Sequence, residues 1–216
     1  MNVNGIIFDL DGTLVDSAED ILESIKESMN CLGVKASNKL KRSVIGPPVR
    51  EILQNILGPD HPEIDAVVDK FRSIYDNSTM QNTIKYKGVD ELLLHCRNLG
   101  IRLFVATNKP EKATSQVIEK HFKACFEGVI CIDTSIGKNL SKKEMIQHVV
   151  KNFSMVPSET LMVGDGKSDM EGAVLNKCIP VGALYGYSSA QVLSDAGARY
   201  LINSPLEILQ LDGIKR

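Results

Sequence analysis

Asp9 and Asp11, in the stretch "DLDGT", follow the apolar run "GIIF" almost without a break. Two carboxylates this close repel each other, so the pair needs a cation or an electrophile between them. In an extended strand, residues i and i+2 point to the same side, which lets both acids converge on one site. Gly12 permits a tight turn, and Thr13 adds a hydroxyl and an amide. A purely structural Asp-Gly turn is the competing reading. A calcium loop of the EF-hand type fits poorly, because Leu14 stands at the sixth position from Asp9, where that loop needs glycine.

Three further stretches carry polar residues where an apolar run ends. In "ATNKP", Thr107 and Asn108 close a run, and Pro110 suits the first turn of a helix. A hydroxyl beside free amides at a helix start can hold an anion, although a plain Asn-capped helix has the same pattern. In "NLSKKEM", Ser141 and Glu144 form a capping box, which puts Lys142 and Lys143 in the first helical turn. Lysine there opposes the helix dipole, so it reads either as a solvated basic turn or as an anion holder. In "MVGDGKSD", Asp165 ends a run and Asp169 begins a helix, or else the two are a turn and a cap. If Asp9, Asp11, Asp165 and Asp169 share one sheet edge, they need a cation among them. All-oxygen ligands select magnesium over zinc or copper. A lysine and a threonine beside that metal would cradle a phosphoryl group.

The elements that must position these residues can be read from periodicity. Apolar runs at Val3 to Phe8, Arg102 to Ala106, Gly128 to Ile132, Thr160 to Val163 and Ile179 to Val181 are nearly continuous rather than alternating. Such runs suit strands buried on both faces. Helical spacing follows at Val89 to Cys96, Ala113 to Phe122, Lys142 to Phe153 and Met170 to Leu175. The alternation predicts an α/β fold, a Rossmann-like parallel sheet covered by helices. Ligands bind such sheets outside the carboxyl ends of the strands, where all four motifs fall. Residues 16–84 exceed a single crossover and read as helices. Ile21, Leu22, Ile25 and Met29 share one face, and Ile64, Val67, Val68, Phe71 and Tyr75 another. The expected organisation is a catalytic core of residues 1–15 and 85–216, with an inserted small all-helical cap at 16–84.

Composition narrows the function classes. The 216 residues are 43% hydrophobic, enough for one domain or for a core with a modest insertion. The formal net charge is −2, from 25 basic and 27 acidic residues, which argues against a nucleic-acid polymer or a membrane surface as partner. No apolar run approaches the roughly 20 residues that span a bilayer. Five scattered cysteines without a C-x-x-C pair read as reduced thiols of a cytoplasmic protein. The four histidines read as surface or boundary residues rather than ligands.

Taken in order, "FDLDGTLVDS", "YKGVDELL", "ATNKP" and "MVGDGKSD" resemble the haloacid dehalogenase superfamily, and most the phosphoglycolate phosphatase group with a helical cap. The resemblance covers the whole chain. It implies Asp9 as nucleophile, Asp11 as general acid and base, and Thr107 with Asn108 as phosphate ligands. Gly12 and Thr13 would join the phosphate loop, and Asp165 with Asp169 the magnesium site of Asp9 and Asp11. Where relatives often show Lys-Pro-x-Pro, this chain reads "NLSKK", and a variant with lysine just after serine selects Lys142 over Lys143. Asp11 sets the chain apart from the dehalogenase branch, which lacks a second aspartate. The implied activity is magnesium-dependent hydrolysis of a small phosphorylated metabolite by a monomer or homodimer, with Arg50 as the cap residue expected to reach the site. A sugar-phosphate mutase and a non-catalytic phosphate-binding protein on the same fold are the alternatives. "LVDSAEDILESI" lacks the histidine seen at this helix start in the β-phosphoglucomutase group.

Overall fold

The structure, a computed structural model, describes residues 2–35 and 38–214. In chain order the elements are β1 (Gly5–Phe8), β2 (Val15–Asp16), α1 (Ala18–Cys31), α2 (Val49–Leu57), α3 (Ile64–Tyr75), β3 (Ile84–Lys85), α4 (Val89–Asn98) and β4 (Arg102–Thr107). They continue with α5 (Glu111–His121), β5 (Gly128–Cys131), α6 (Lys142–Asn152), β6 (Thr160–Gly164), α7 (Lys167–Leu175), β7 (Ile179–Ala183), α8 (Ala190–Asp195) and β8 (Tyr200–Ile202).

Six strands form a parallel sheet in the order β5-β4-β1-β6-β7-β8. The continuous apolar strands are explained by the two cores they serve. Ile6, Phe8, Leu103, Val105, Leu161 and Val163 face one side with α4 and α5. Ile7, Phe104, Ala106 and Met162 face the other with α6 and α7. Neighbouring residues point to opposite faces, so each strand must be apolar throughout.

β1 lies centrally, with β4 and β5 on one side and β6, β7 and β8 on the other. Strand order therefore reverses at β1, and the crevice outside its carboxyl end is where open α/β sheets place ligands. The register sets Phe8 beside both Val105 and Val163, so Asp9, Thr107 and Asp165 emerge at one edge.

Between β2 and β3, which pair antiparallel, the chain forms α1, α2 and α3. Their apolar faces meet through Ile25, Met29, Leu53, Ile56, Val67 and Phe71. α8 and the strands β2, β3 and β8 are too short to repeat a period, and α2, nine residues long with Ile52, Leu53 and Ile56 buried, was not distinguished either. All five cysteines are unpaired. Among the described residues, no helix is long and apolar enough to cross a membrane.

Candidate active site

The loop after β1 is wound around one carbonyl. Leu10 O accepts hydrogen bonds from the amides of Thr13 (3.3 Å), Leu14 (2.9 Å) and Val15 (3.0 Å). Gly12 takes φ +87°, a conformation that favours glycine, and no side chain fits there because a Cβ would run into the Asp165 carboxylate. Asp9 still belongs to the sheet, its amide donating to Val163 O at 2.8 Å, whereas Asp11 has left it. The two acids therefore diverge. Both border one cavity, but each has its own lysine.

Asp9 is 7% exposed, and its Oδ1 accepts from Lys142 Nζ at 2.7 Å. The capping box Ser141–Glu144 starts α6 so that Lys142 points inward, and its Nζ also donates to Ala106 O at 2.8 Å. Lys143 is exposed. Asp169, in the first turn of α7, accepts from Gly166 N at 3.0 Å through Oδ2. Its Oδ1 lies 2.9 Å from Lys142 Nζ, outside hydrogen-bonding alignment, and keeps unmet capacity. Asp165 Oδ2 accepts from Tyr187 N at 2.7 Å, and its Oδ1 from Thr13 Oγ1 at 3.3 Å.

One carboxylate oxygen from each of Asp9, Asp165 and Asp169 lies within 4.8 Å of the others, all three acids buried. Burial pushes the Asp9 carboxyl up to about 7; Lys142 pulls it down, and Asp169 adds to the rise. Burial and the charge of Asp9 likewise hold Asp165 well above the ordinary carboxylate range. Burial alone would lower Lys142, but Asp169 and Asp9 outweigh it and keep the ammonium charged. Four carboxylates against the ammonium groups of Lys142 and Lys109 leave a formal excess of two negative charges. A divalent cation with oxygen ligands fits that excess and the unmet Asp169 oxygen.

Lys109 was not singled out in the sequence, although it adjoins Asn108. Its Nζ is 2.7 and 2.8 Å from the two Asp11 oxygens and donates to the Tyr75 hydroxyl at 2.7 Å. Ser17 Oγ donates to Asp11 Oδ1 at 2.5 Å. Burial pushes the Tyr75 hydroxyl up to about 12 despite the opposing charge of Lys109. Tyr187 is a second omission. Besides its amide on Asp165, its hydroxyl accepts from Ser17 N at 3.0 Å and donates to Asp16 at 3.2 Å. Neither contact has a local sequence signal, since each joins residues far apart in the chain.

The cavity measures about 730 Å³, and its lining includes Asp9, Asp11, Thr107, Asn108, Lys109 and Arg50. Thr107 Oγ1 accepts from Lys109 N at 3.1 Å, and Asn108 Nδ2 donates to Gly46 O at 2.9 Å, across to the α1–α2 connection. Arg50 is half exposed and ion-paired with Asp65. It borders the cavity without touching the acids.

Residues 6–179 match the family described as haloacid dehalogenase-like hydrolase. A phosphoglycolate phosphatase of Photobacterium profundum is 31% identical, over 88% of this chain and 86% of its own. The tyrosine-protein kinase PtkA of Mycobacterium tuberculosis is also 31% identical over 87% of this chain, which spans only 64% of that protein's length. A crystal structure of a predicted phosphatase from Clostridium acetobutylicum superposes with a TM-score of 0.86 at 30% identity, covering 98% of this chain and all of the other.

Proposed function

The chain belongs to the haloacid dehalogenase-like hydrolases, and from that premise we propose that it is a magnesium-dependent phosphatase of small-molecule phosphomonoesters, working through an aspartyl-phosphate on Asp9. The observation that carries this reading is a buried nucleophile candidate on the cavity wall, paired to Lys142 and grouped with Asp165 and Asp169. Asp9, Asp165, Asp169 and the main-chain carbonyl of Asp11 would hold the metal, which when bound supplies positive charge to the phosphoryl oxygens.

In this reading an Asp9 oxygen attacks phosphorus in line, forming a new O–P bond as the bond to the ester oxygen breaks. Lys142, the Thr107 hydroxyl, Asn108 and the Gly12–Thr13 loop orient the phosphoryl oxygens. Protonated Asp11 gives its proton to the departing alkoxide and becomes the carboxylate that Lys109 holds. It then takes one from the water that cleaves the aspartyl-phosphate, so phosphate leaves and both acids are restored. Residues 16–84 act as a cap that excludes bulk water and selects the leaving group, with Arg50 facing the variable part of the substrate. The unpaired cysteines support a cytoplasmic setting.

Metal-stripped protein assayed with p-nitrophenyl phosphate and a panel of phosphorylated metabolites tests the proposal. Magnesium is expected to restore hydrolysis and calcium is not, because its looser coordination suits in-line transfer poorly. Full activity in excess chelator overturns the metal assignment. Conversion of a sugar phosphate to its isomer without phosphate release would identify a mutase, and binding without turnover a non-catalytic protein.

A further inference from the structure

Lys109 presents an unusual arrangement: an ammonium only 5% exposed, deep in the fold, with three oxygen contacts. Two belong to Asp11. The third is the hydroxyl of Tyr75, which is 2% exposed and ends α3. The ammonium lies 4.8 Å from the centre of the Tyr75 ring, beside its hydroxyl. Tyr75 lies in the helical insertion, so the partner that fixes this lysine comes from outside the sheet.

A second set of contacts keeps Tyr75 in place. On α5, Lys112, Gln116 and Lys120 recur every fourth residue and therefore share one face. Lys112 Nζ donates to Asn77 Oδ1 at 3.1 Å, Gln116 Nε2 to Asp76 O at 2.9 Å, and Lys120 Nζ to Met80 O at 2.7 Å. These bonds clamp the chain immediately after α3 to the sheet's own helix. One end of the insertion is thus anchored beside the site.

Resting on the phosphatase reading above, we propose that Lys109 and Tyr75 are positioning residues that aim the Asp11 carboxyl at the ester oxygen. Asp11 sits in a loop, has left the sheet and carries no backbone hydrogen bond in the β1 ladder, so its aim depends on side-chain partners. A carboxylate gripped through both oxygens by one ammonium has little rotational freedom. Tyr75 does the same for the lysine, occupying one of its three donors. The pair makes proton delivery depend on where α3 sits, while the Asp9 and Lys142 centre does not touch it.

This assignment separates two steps by leaving group. A basic alkoxide needs the proton of Asp11 to depart, whereas a nitrophenolate departs without it. Lys109→Met should slow phosphoryl transfer from an alkyl phosphate roughly 100-fold, the loss expected of a misplaced catalytic group. Tyr75→Phe, which keeps the ring and loses one hydrogen bond, should slow it about 10-fold. With p-nitrophenyl phosphate, the pre-steady-state burst should keep its wild-type rate in both variants, while the later steady rate falls because water attack still needs Asp11. The dissociation constant of each ester should change little, since neither residue binds the phosphoryl group, whereas KM for p-nitrophenyl phosphate should fall with the slower second step. Rapid-quench measurements on wild type, Lys109→Met and Tyr75→Phe with both esters provide the test. If Lys109→Met fails to fold, Tyr75→Phe alone decides. Burst and alkyl transfer slowed by the same factor, or a change confined to the dissociation constant of the ester, overturns the inference. A wild type that hydrolyses neither ester with magnesium overturns the phosphatase reading, and this inference with it.

Discussion

At Asp9 the charge balance has a consequence that can be measured without any substrate. In the metal-free protein its carboxyl is pushed by burial from 3.8 to about 7. The folded state therefore binds more protons than the unfolded chain between those values, so this group's contribution to stability falls as pH rises through that window. Asp165 shifts in the same direction and adds to the slope. Metal-free protein should melt at a lower temperature at about pH 7.5 than at about pH 5, as far as these acids govern the difference. Magnesium binds the ionised carboxylates and should act most strongly at the higher pH. A cation at about 100 times its Kd adds roughly 2.7 kcal/mol, or about 5–10 °C for a domain of this size. Calorimetry at both pH values, with and without magnesium, checks this; an equal rise at both would contradict it. The acids themselves were legible in the sequence because strand ends have a recognisable pattern, and Lys142 because Ser141 and Glu144 fix the start of its helix. Lys109 was not legible, since nothing local tells that its side chain turns back to an acid 98 residues earlier.

Most elements long enough to repeat their period were readable, among them five of the sheet's six strands and the helices α4 to α7 that cover it. β8 and α8 have only three and six residues, too few for a pattern, and they follow the last motif. Yet the connection from β7 to α8 shapes the site. A Cβ on Gly186 would press against the Asp165 side chain and lie 2.5 Å from Gly12 O. Tyr187, the next residue, donates its amide to Asp165. Gly186→Ala should therefore shift Asp165, costing about 1–3 kcal/mol of stability, as overpacking does. It should also raise the magnesium concentration needed for half-maximal hydrolysis. A magnesium titration beside a melting curve distinguishes this from simple destabilisation, because unchanged magnesium affinity would show that the glycine serves packing alone.

Across the whole molecule, the reversal of strand order at β1 gathers residues from β1, β4, α6 and β6 at one sheet edge, and the helices between β2 and β3 close a cavity over it. Helices over residues 16–84 were expected from length and periodicity, but the contacts from Asn108 to Gly46 and from Lys109 to Tyr75 depend on where those helices pack. What the assembled site is proposed to do is form a covalent bond between Asp9 and phosphorus. The most direct measurement is intact-protein mass spectrometry of Asp11→Asn, quenched in acid after mixing with magnesium and p-nitrophenyl phosphate. Nitrophenolate leaves without a proton, so the first step proceeds, whereas water attack lacks its base. The chain should release close to one equivalent of nitrophenol and then stall, carrying a single phosphoryl group that fragmentation maps to Asp9, and Asp9→Asn should carry none. Steady turnover by Asp11→Asn with no phosphoryl group on Asp9, or hydrolysis by Asp9→Asn at the wild-type rate, would contradict the account.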